Sequence, residues 1–336
     1  MPRIRSQPDD FIVDEIPAGS FAGEGDHTML LVEKRLYNTD DVLRELVRVT
    51  GLPARDIGCA GRKDRNAVTR QWFSVPYLDL KTARSLDLVT GRVLAVDRHT
   101  QKLRTGQLRG NRFEVVVREV SQNEARRAQE ILDQVLEKGL PNRFGHQRFG
   151  RSGANVEKGV AILRAEHLRI ERRTAWLLVS AVQSAVFNEV LARRPFPLDQ
   201  VILGDVALDH HTGDLFHVED LNHEQPRAAR FEISATGPLF GSKMRRPTGA
   251  VATLESAALT SLGLPSMDSI TPPRGIRLYG QRRALRIRLA GVDLMWRDGA
   301  IYLHFQLPAG SFATTLVEEL FPGGVEEGPR YAGRRS

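Results

Sequence analysis

The first part of the chain alternates apolar and polar positions in a pattern that predicts short strands and one helix. Residues 11–16 alternate with a period of two, as a half-buried strand does, and residues 29–32 form a second apolar strand. Thr39 is predicted to cap a helix, and Gly51 is predicted to end it. Further strands are predicted near residues 72–77, 92–97 and 113–117.

The later part of the chain contains longer helices and a group of strands close to its end. Ser121 and Glu124 have the spacing of a capping box at the start of a helix, and residues 174–191 show clear helical periodicity. The late strand-like segments are residues 285–289, 292–296 and 301–306. Because strands and helices do not alternate regularly, the pattern predicts an α+β fold around a mainly antiparallel mixed sheet.

The character of the chain changes near residue 201, where segments rich in Gly, Pro and His surround short strands such as 201–203. We therefore predict a second domain inserted into the first. Residues 145–285 would form the insertion, and residues 1–144 and 286–336 would form the two parts of the first domain.

Composition narrows the class of protein. A chain of 336 residues with 41% hydrophobic residues is long and apolar enough for two folded domains. Its one cysteine, Cys59, excludes an internal disulfide and favours a reducing compartment, so we expect a cytoplasmic protein. The first ten residues lack a signal-peptide core, and apolar runs such as 176–179 are too short to span a membrane.

The charge pattern indicates an anionic partner. Lys and Arg number 48 against 41 Asp and Glu, a formal charge of +7. Arginine bias in the source genome would explain the total equally well, but the cations are clustered. Two segments, 98–112 and 274–288, contain no acidic residue, and their cations are Arg98, Lys102, Arg104, Arg109, Arg112, Arg274, Arg277, Arg282, Arg283, Arg286 and Arg288. This clustering favours a surface that binds nucleic acid.

One acidic residue, Asp64, lies within a third cationic stretch, between Gly61 and Trp72. Its neighbours Arg62, Lys63, Arg65 and Arg70 are all cations. Positive neighbours stabilise the ionised form of a carboxylate, and an ionised carboxylate on a loop is a candidate nucleophile or general base. The alternative is that Asp64 is a turn residue on a solvated surface.

Residues 61–71, GRKDRNAVTRQ, resemble the G-x-K-D-x-x-A-x-T-x-Q signature of the TruD family, the tRNA pseudouridine-13 synthases. Further segments resemble this family in the same order: 8–15 (PDDFIVDE), 110–113 (GNRF) and 307–314 (LPAGSFAT), with weaker support from 142–150 and 237–241. The likeness extends from about residue 8 to residue 320, which is nearly the whole chain.

The resemblance implies an isomerase, a pseudouridine synthase that converts uridine to pseudouridine in tRNA, at position 13, without a cofactor or a metal ion. It implies a pseudouridine-synthase catalytic domain interrupted by a TRUD insertion domain of α/β type, with tRNA as the partner. The essential aspartate of the family corresponds to Asp64. Whether it attacks C1′ or C6, or abstracts a ribose proton towards a glycal, is left open by the sequence.

The resemblance also suggests substrate-binding residues. Asn111 matches a position expected to make polar contacts, and Phe113 and Phe312 match aromatic residues expected to stack on or flank the base; the alternatives are a turn residue and ordinary core residues. Arg5 stands where family members often carry Lys, which changes any role that needs a compact ammonium group. Lys63, Arg104 and Arg283 are the cations predicted to contact RNA.

A different class of function uses the same surface. A non-catalytic RNA-binding or chaperone protein would also be basic, but it gains nothing from a carboxylate among cations, because a carboxylate repels phosphate. We expect a monomer, since no assembly surface is evident in the sequence.

Overall fold

The computed structural model describes residues 1–164, 170–270 and 277–329. The chain divides into two compact units. Unit 1 comprises Met1–Ile131, Leu289–Ala313 and Val317–Ser336, and unit 2 comprises Leu132–Arg288 and Thr314–Leu316. The bounds of a functional insertion domain, 145–285, stay a prediction.

The described residues form short and long strands interspersed with helices. The strands are β1 Arg3–Ile4, β2 Phe11–Pro17, β3 His27–Arg35, β4 Gly58–Cys59, β5 Val68–Pro76, β6 Asp87–Leu88, β7 Gly91–His99, β8 Leu108–Arg118, β9 Leu140–Pro141, β10 Val206–Asp209, β11 Leu215–His217, β12 Ile233–Leu239, β13 Gln281–Ala284, β14 Arg286–Ile287, β15 Ala290–Arg297, β16 Ala300–Pro308 and β17 Glu326–Glu327. The α-helices are α1 Thr39–Thr50, α2 Leu80–Arg84, α3 Gln122–Lys138, α4 Ala154–Leu163, α5 Arg172–Arg193, α6 Leu221–Ala229, α7 Gly249–Ser261 and α8 Ala313–Leu320.

Unit 1 is built on one large sheet, which in the described residues has eleven strands. Its main order is β15-β16-β8-β2-β5-β3-β7-β6, with β1 beside β8 and β17, and β4 beside β5. The pairs β2–β5 and β1–β17 are parallel, and the other described pairs are antiparallel. The predicted α+β fold with a mainly antiparallel mixed sheet is confirmed.

The register of three central strands brings predicted site residues to one face of this sheet. Phe113 on β8 lies opposite Val13 on β2, and two positions along, Asn111 lies opposite Glu15. On the other side of β8, Asn111 lies opposite Leu307 of β16. Since alternate residues of a strand point to the same face, Asn111, Phe113 and Glu15 share that face.

Helix α1 covers the same face beside β3 and β5. Its Val42 and Leu46 pack with Leu30, Val32 and Phe73 in one apolar core. Gly51 ends the helix in the left-handed conformation, as predicted.

The predicted N-cap of α1 is wrong by one residue. Asn38 is the N-cap and forms a capping box with Asp41, and Thr39 is the first helical residue. Thr39 is buried and its hydroxyl donates to the side chain of Gln71 at 2.9 Å. The sequence favours both Asn38 and Thr39 as caps. The hydrogen bond from Thr39 to the buried Gln71 decides between them, because it uses the Thr39 side chain in the interior.

In its described residues, unit 2 combines helices with a four-stranded sheet, β11-β10-β12-β13, and a short pair, β14-β9. Helix α5 contributes side chains to two apolar cores of this unit, Val182 to one and Phe187 to the other. By length and composition alone α5 could cross a membrane, but 61% of its apolar window is buried inside the protein. The strand predicted at 201–203 is wrong, because Asp205 N donates to Ile202 O and closes a turn there.

Candidate active site

Asp64 lies in the loop between β4 and β5, with its side chain 49% exposed. Its Oδ2 accepts a hydrogen bond from Nη2 of Arg5 at 3.1 Å. No described residue donates a hydrogen bond to its Oδ1. Asp64 therefore presents one tethered oxygen and one open oxygen, and the open oxygen could act as a nucleophile or general base.

Arg5 is the cation that holds this carboxylate. Its side chain is only 8% exposed, and its guanidinium lies over the ring of Phe11 at 4.3 Å. Its Nη1 pairs with Glu327 Oε1 at 3.1 Å, so one guanidinium joins two carboxylates. Arg5 has a backbone φ of 55°, in the left-handed region that non-glycine residues rarely adopt.

The backbone of Asp64 is held by a buried lysine. Lys34 Nζ donates to the carbonyl of Asp64 at 2.9 Å and to that of Tyr37 at 2.7 Å. Burial, against the opposing charge of Asp64, lowers the pKa of Lys34 to about 8; that net value includes smaller effects of Lys63, which lowers it, and Asp41, which raises it. Lys34 thus fixes the position of the Asp64 peptide from inside the sheet.

The segment just before Asp64 is tied to α1 and β5. The amide of Gln71 donates to the carbonyl of Gly61, and the backbone N–H of Lys63 donates to the hydroxyl of Thr39 at 2.9 Å. Both Gln71 and Thr39 are buried. Hydrogen bonds from rigid elements therefore position the loop on each side of residue 62.

The cations next to Asp64 in the sequence have other partners. Lys63 Nζ pairs with Glu15 Oε2 at 2.7 Å, and both side chains are buried. The remaining contacts are Arg62 with Asp40 at 3.1 Å, Arg65 Nε with the carbonyl of Leu36 at 3.0 Å, and Arg70 with Glu33 at 2.9 Å and Asp14 at 3.2 Å. The hydrogen bond to Glu33, partly opposed by burial, raises the pKa of Arg70. The contact with the side-chain carboxylate of Asp64 thus comes from Arg5, 59 positions away, instead of from its sequence neighbours.

Two predicted site residues lie on β8, with different surroundings. The buried Oδ1 of Asn111 has no hydrogen-bond partner among the described residues. Phe113 is buried and stacks on Phe305, with ring centroids 5.1 Å apart. This environment favours the core alternative for Phe113, and its contact with a base stays a prediction.

Phe312 and Arg104 lie on exposed loops of unit 1. Phe312 is 38% exposed and precedes α8. Arg104 is exposed, and its guanidinium has no hydrogen bond or ion pair within the described parts of the chain. Its loop is attached to the segment that leads to Asp64, because Gly106 N donates to Ala60 O at 2.7 Å.

Comparisons with known proteins identify the family of this chain. The family model described as tRNA pseudouridine synthase D (TruD) matches residues 2–170 and 163–320. The chain belongs to this family. Proteins named tRNA pseudouridine synthase D from Thermus thermophilus and Geobacter sulfurreducens are 41% and 36% identical to it, each over 94% of this chain and over 88% and 93% of their own lengths.

A solved structure shares the fold of this TruD family member. It is described as the putative tRNA pseudouridine synthase D (TruD) from Methanosarcina mazei and superimposes with a TM-score of 0.76. The two chains are 22% identical, and the match covers 95% of this chain and 93% of the other. The likeness therefore supports the fold of this TruD chain.

The second basic segment, residues 274–288, was predicted to form part of an RNA surface, and the structure differs from this prediction. Arg282 and Arg286 have buried side chains, and Arg282 pairs with the buried Glu255 at 2.7 Å, so the prediction is wrong for these two. Arg283 is partly buried over the ring of Phe144 at 4.3 Å, and burial, with a smaller effect of Arg148, lowers its pKa to about 10. Arg274 lies outside the described residues.

The sequence contained a signal for two site residues that were not singled out. In β3, Lys34 continues the inward positions of Leu30 and Val32, and in β2, Glu15 continues those of Phe11 and Val13. A charged residue at an inward strand position needs a buried partner, so such residues mark a polar site. Among the described residues, no group of three or more His, Cys, Asp or Glu could hold a metal ion.

Proposed function

We propose that this chain is a tRNA pseudouridine synthase, an isomerase that converts uridine to pseudouridine at position 13 of tRNA, with Asp64 as the catalytic carboxylate. Membership of the TruD family supports the reaction class, since the relatives are named for it. The observation that carries the role of Asp64 is its half-exposed carboxylate, with Oδ2 tethered to Arg5 and no hydrogen bond to Oδ1 from any described residue.

The reaction needs a carboxylate of this kind. The N1–C1′ bond breaks, the uracil turns, and C5 bonds to C1′, while the proton lost from C5 is balanced by one gained at N1. Asp64 would attack C1′ or C6, or remove a ribose proton on a route through a glycal. In each case an ionised oxygen must reach a nucleotide that has left its stack.

Neighbouring residues support the same proposal. Asn111 lies on the same face of the sheet as Phe113 and would make polar contacts with an extruded uracil, whose imide N–H is a donor. Phe312 offers an exposed ring for stacking, which offsets the few kcal/mol lost on extruding a base. Arg5 and Lys63 act at this site through Asp64 and Glu15, their ion-pair partners.

The exposed cations of the 98–112 segment would position the phosphates of tRNA. Arg104 and Arg109 are exposed, and within the described residues neither guanidinium meets a carboxylate. We propose no cofactor, metal ion or membrane partner, a monomer in solution and a cytoplasmic location.

The test is to incubate the protein with an unmodified tRNA transcript and map pseudouridine by carbodiimide treatment and primer extension. Wild type should produce one stop, one nucleotide 3′ of position 13, and a transcript with cytidine at position 13 should produce none. Asp64→Asn should reduce the rate by at least about a thousandfold. Asp56→Asn, which alters a nearby partly exposed carboxylate paired with Arg55, should have normal activity.

The two candidate functions give different results in this assay. A non-catalytic RNA-binding protein would retain tRNA on a filter but form no pseudouridine in wild type. Product from wild type that persists in Asp64→Asn would instead show a pseudouridine synthase with another catalytic residue.

A further inference from the structure

The strand β17 lies beyond residue 320, where the family match ends, and yet it contacts the Asp64 site. It pairs in parallel with β1, with Ile4 beside Glu327. The pairing is fixed by backbone hydrogen bonds, including Gly328 N to Ile4 O at 2.8 Å. A Cβ on Gly328 would lie 2.2 Å from the carbonyl oxygen of Arg5, so only glycine allows this approach.

This pairing delivers a second carboxylate to Arg5. Nη1 of Arg5 pairs with Glu327 Oε1, and Nη2 pairs with Asp64 Oδ2, each at 3.1 Å. Phe11 supports the guanidinium from one side through its ring. The orientation of the Arg5 group is therefore set by three contacts, and Glu327 supplies one of them.

A guanidinium with a single carboxylate partner commonly binds it through two parallel hydrogen bonds. With Nη1 engaged by Glu327, the parallel arrangement through Nη1 and Nη2 is closed to Asp64, and the buried Nε makes no hydrogen bond to it. Oδ1 of Asp64 therefore has no donor among the described residues. A carboxylate bound at both oxygens is less able to attack carbon or accept a proton, since hydrogen bonds stabilise its charge.

We propose that Glu327 is a positioning residue of the active site: it keeps Arg5 bound to Asp64 through one nitrogen, so that the second oxygen of Asp64 can react. This inference rests on the proposed catalytic role of Asp64. Glu327 is 41% exposed, and solvent screening therefore limits the expected effect to about tenfold in rate.

The neighbouring residue provides a matched control. Glu326 lies on the same strand and is 49% exposed, but its carboxylate pairs with Arg3, which does not contact Asp64. Glu327→Met and Glu326→Met each remove one partly exposed carboxylate of similar size. Glu327→Gln retains an oxygen that can accept the Arg5 hydrogen bond without the charge.

The experiment measures kcat and KM for pseudouridine formation in a tRNA transcript. Circular dichroism at the assay temperature gives the folded fraction of each variant, and kcat is expressed per folded molecule. Glu327→Met should lower kcat about tenfold with KM within about twofold of wild type, because the substrate contacts remain. Glu327→Gln should recover to within about threefold of wild type, and Glu326→Met should match wild type.

Three results would overturn the proposal: normal kcat in Glu327→Met, an equal loss in Glu326→Met, or no recovery in Glu327→Gln. If part of the Glu327→Met protein is unfolded, its kcat is divided by the folded fraction. If little folded Glu327→Met remains, the kcat of Glu327→Gln decides whether the proposal stands. Failure of the underlying function is recognised separately, because wild type would then form no pseudouridine.

Discussion

The Asp64 loop of unit 1 and the arginine segment 277–288 of unit 2 use positive charge in different ways. In the loop, three of the four cations pair with acidic residues, as Lys63 does with Glu15, and the Asp64 carboxylate remains half-exposed. In the segment, Arg286 is fully buried and bonds to carbonyl oxygens. A cluster of cations in a sequence therefore indicates a binding surface only where the side chains lack partners inside the fold.

The interior role of Arg286 is clear from its contacts. Its guanidinium donates to Ser234 Oγ at 3.0 Å, and to the carbonyls of Lys138 at 2.9 Å and Ile233 at 3.1 Å. It also lies over the ring of Phe231 at 4.0 Å, and burial lowers its pKa to about 10. Such an arginine joins separate segments of unit 2 and is not accessible to RNA.

The largest predicted effect is the loss of stability on replacing this arginine. Arg286→Met should lower the free energy of unfolding by about 4 kcal/mol, because it leaves several buried carbonyls without a donor. Arg288→Met, which removes an exposed arginine over the same Phe231 ring, should cost less than about 1 kcal/mol. Urea unfolding followed by circular dichroism measures both. Equal costs would show that burial does not distinguish the two arginines.

The second predicted effect is a pH dependence that comes from Lys34. Its pKa falls from 10.5 in the unfolded chain to about 8 in the fold, so between these values the unfolded state binds more protons. Stability of wild type should therefore rise with pH over this window, relative to Lys34→Met, by on the order of 3 kcal/mol. Urea unfolding of both proteins at pH 7.5, 9 and 10.5 tests this. A difference that stays constant would contradict the burial of a charged Lys34.

The contrast between the two regions also shows which features of the fold and the site could be predicted from the sequence. Local signals were sufficient for the main strands of unit 1 and for the end of α1 at Gly51, since periodicity and turn chemistry act over a few residues. The resemblance selected Asp64, but its partner Arg5 is 59 positions away and the second partner, Glu327, is 322 positions from Arg5. Strand pairing creates such contacts, and single-sequence patterns do not specify pairing between distant strands.

The same limit explains why the sequence predicted that the arginines of unit 2 are exposed. Segment 274–288 has no acidic residue in its sequence, yet Arg282 pairs with Glu255 of α7, which is 27 positions away. Burial, with partial compensation by Arg282, raises the pKa of Glu255, as expected for a carboxylate in the core. Charge segregation along a chain therefore overestimates exposure when the opposite charge comes from another element.

A smaller effect on stability is predicted for Arg283, whose side chain is partly buried. Its contacts with Phe144, Phe187 and the Asn142 side chain contribute to unit 2, so Arg283→Ala should reduce the free energy of unfolding by about 1.5 kcal/mol. The sequence also predicts an RNA contact for this residue. Filter binding of tRNA at several salt concentrations tests that contact, and an unchanged salt dependence would exclude it.

The smallest predicted effect, and the one that tests the RNA surface most directly, is that of Arg104. Its exposed guanidinium has no partner in the described parts of the chain, so Arg104→Ala should leave stability within about 0.5 kcal/mol of wild type. If it contacts one phosphate, the slope of log K against log salt for tRNA binding should decrease by just under one, about 0.7 to 0.9. Arg84→Ala, an exposed arginine on α2, serves as the control and should leave the slope unchanged. Equal slopes for both variants would remove the Arg104 loop from the RNA surface, whereas a decrease confined to Arg104→Ala would separate a cation that binds phosphate from those that hold the fold together.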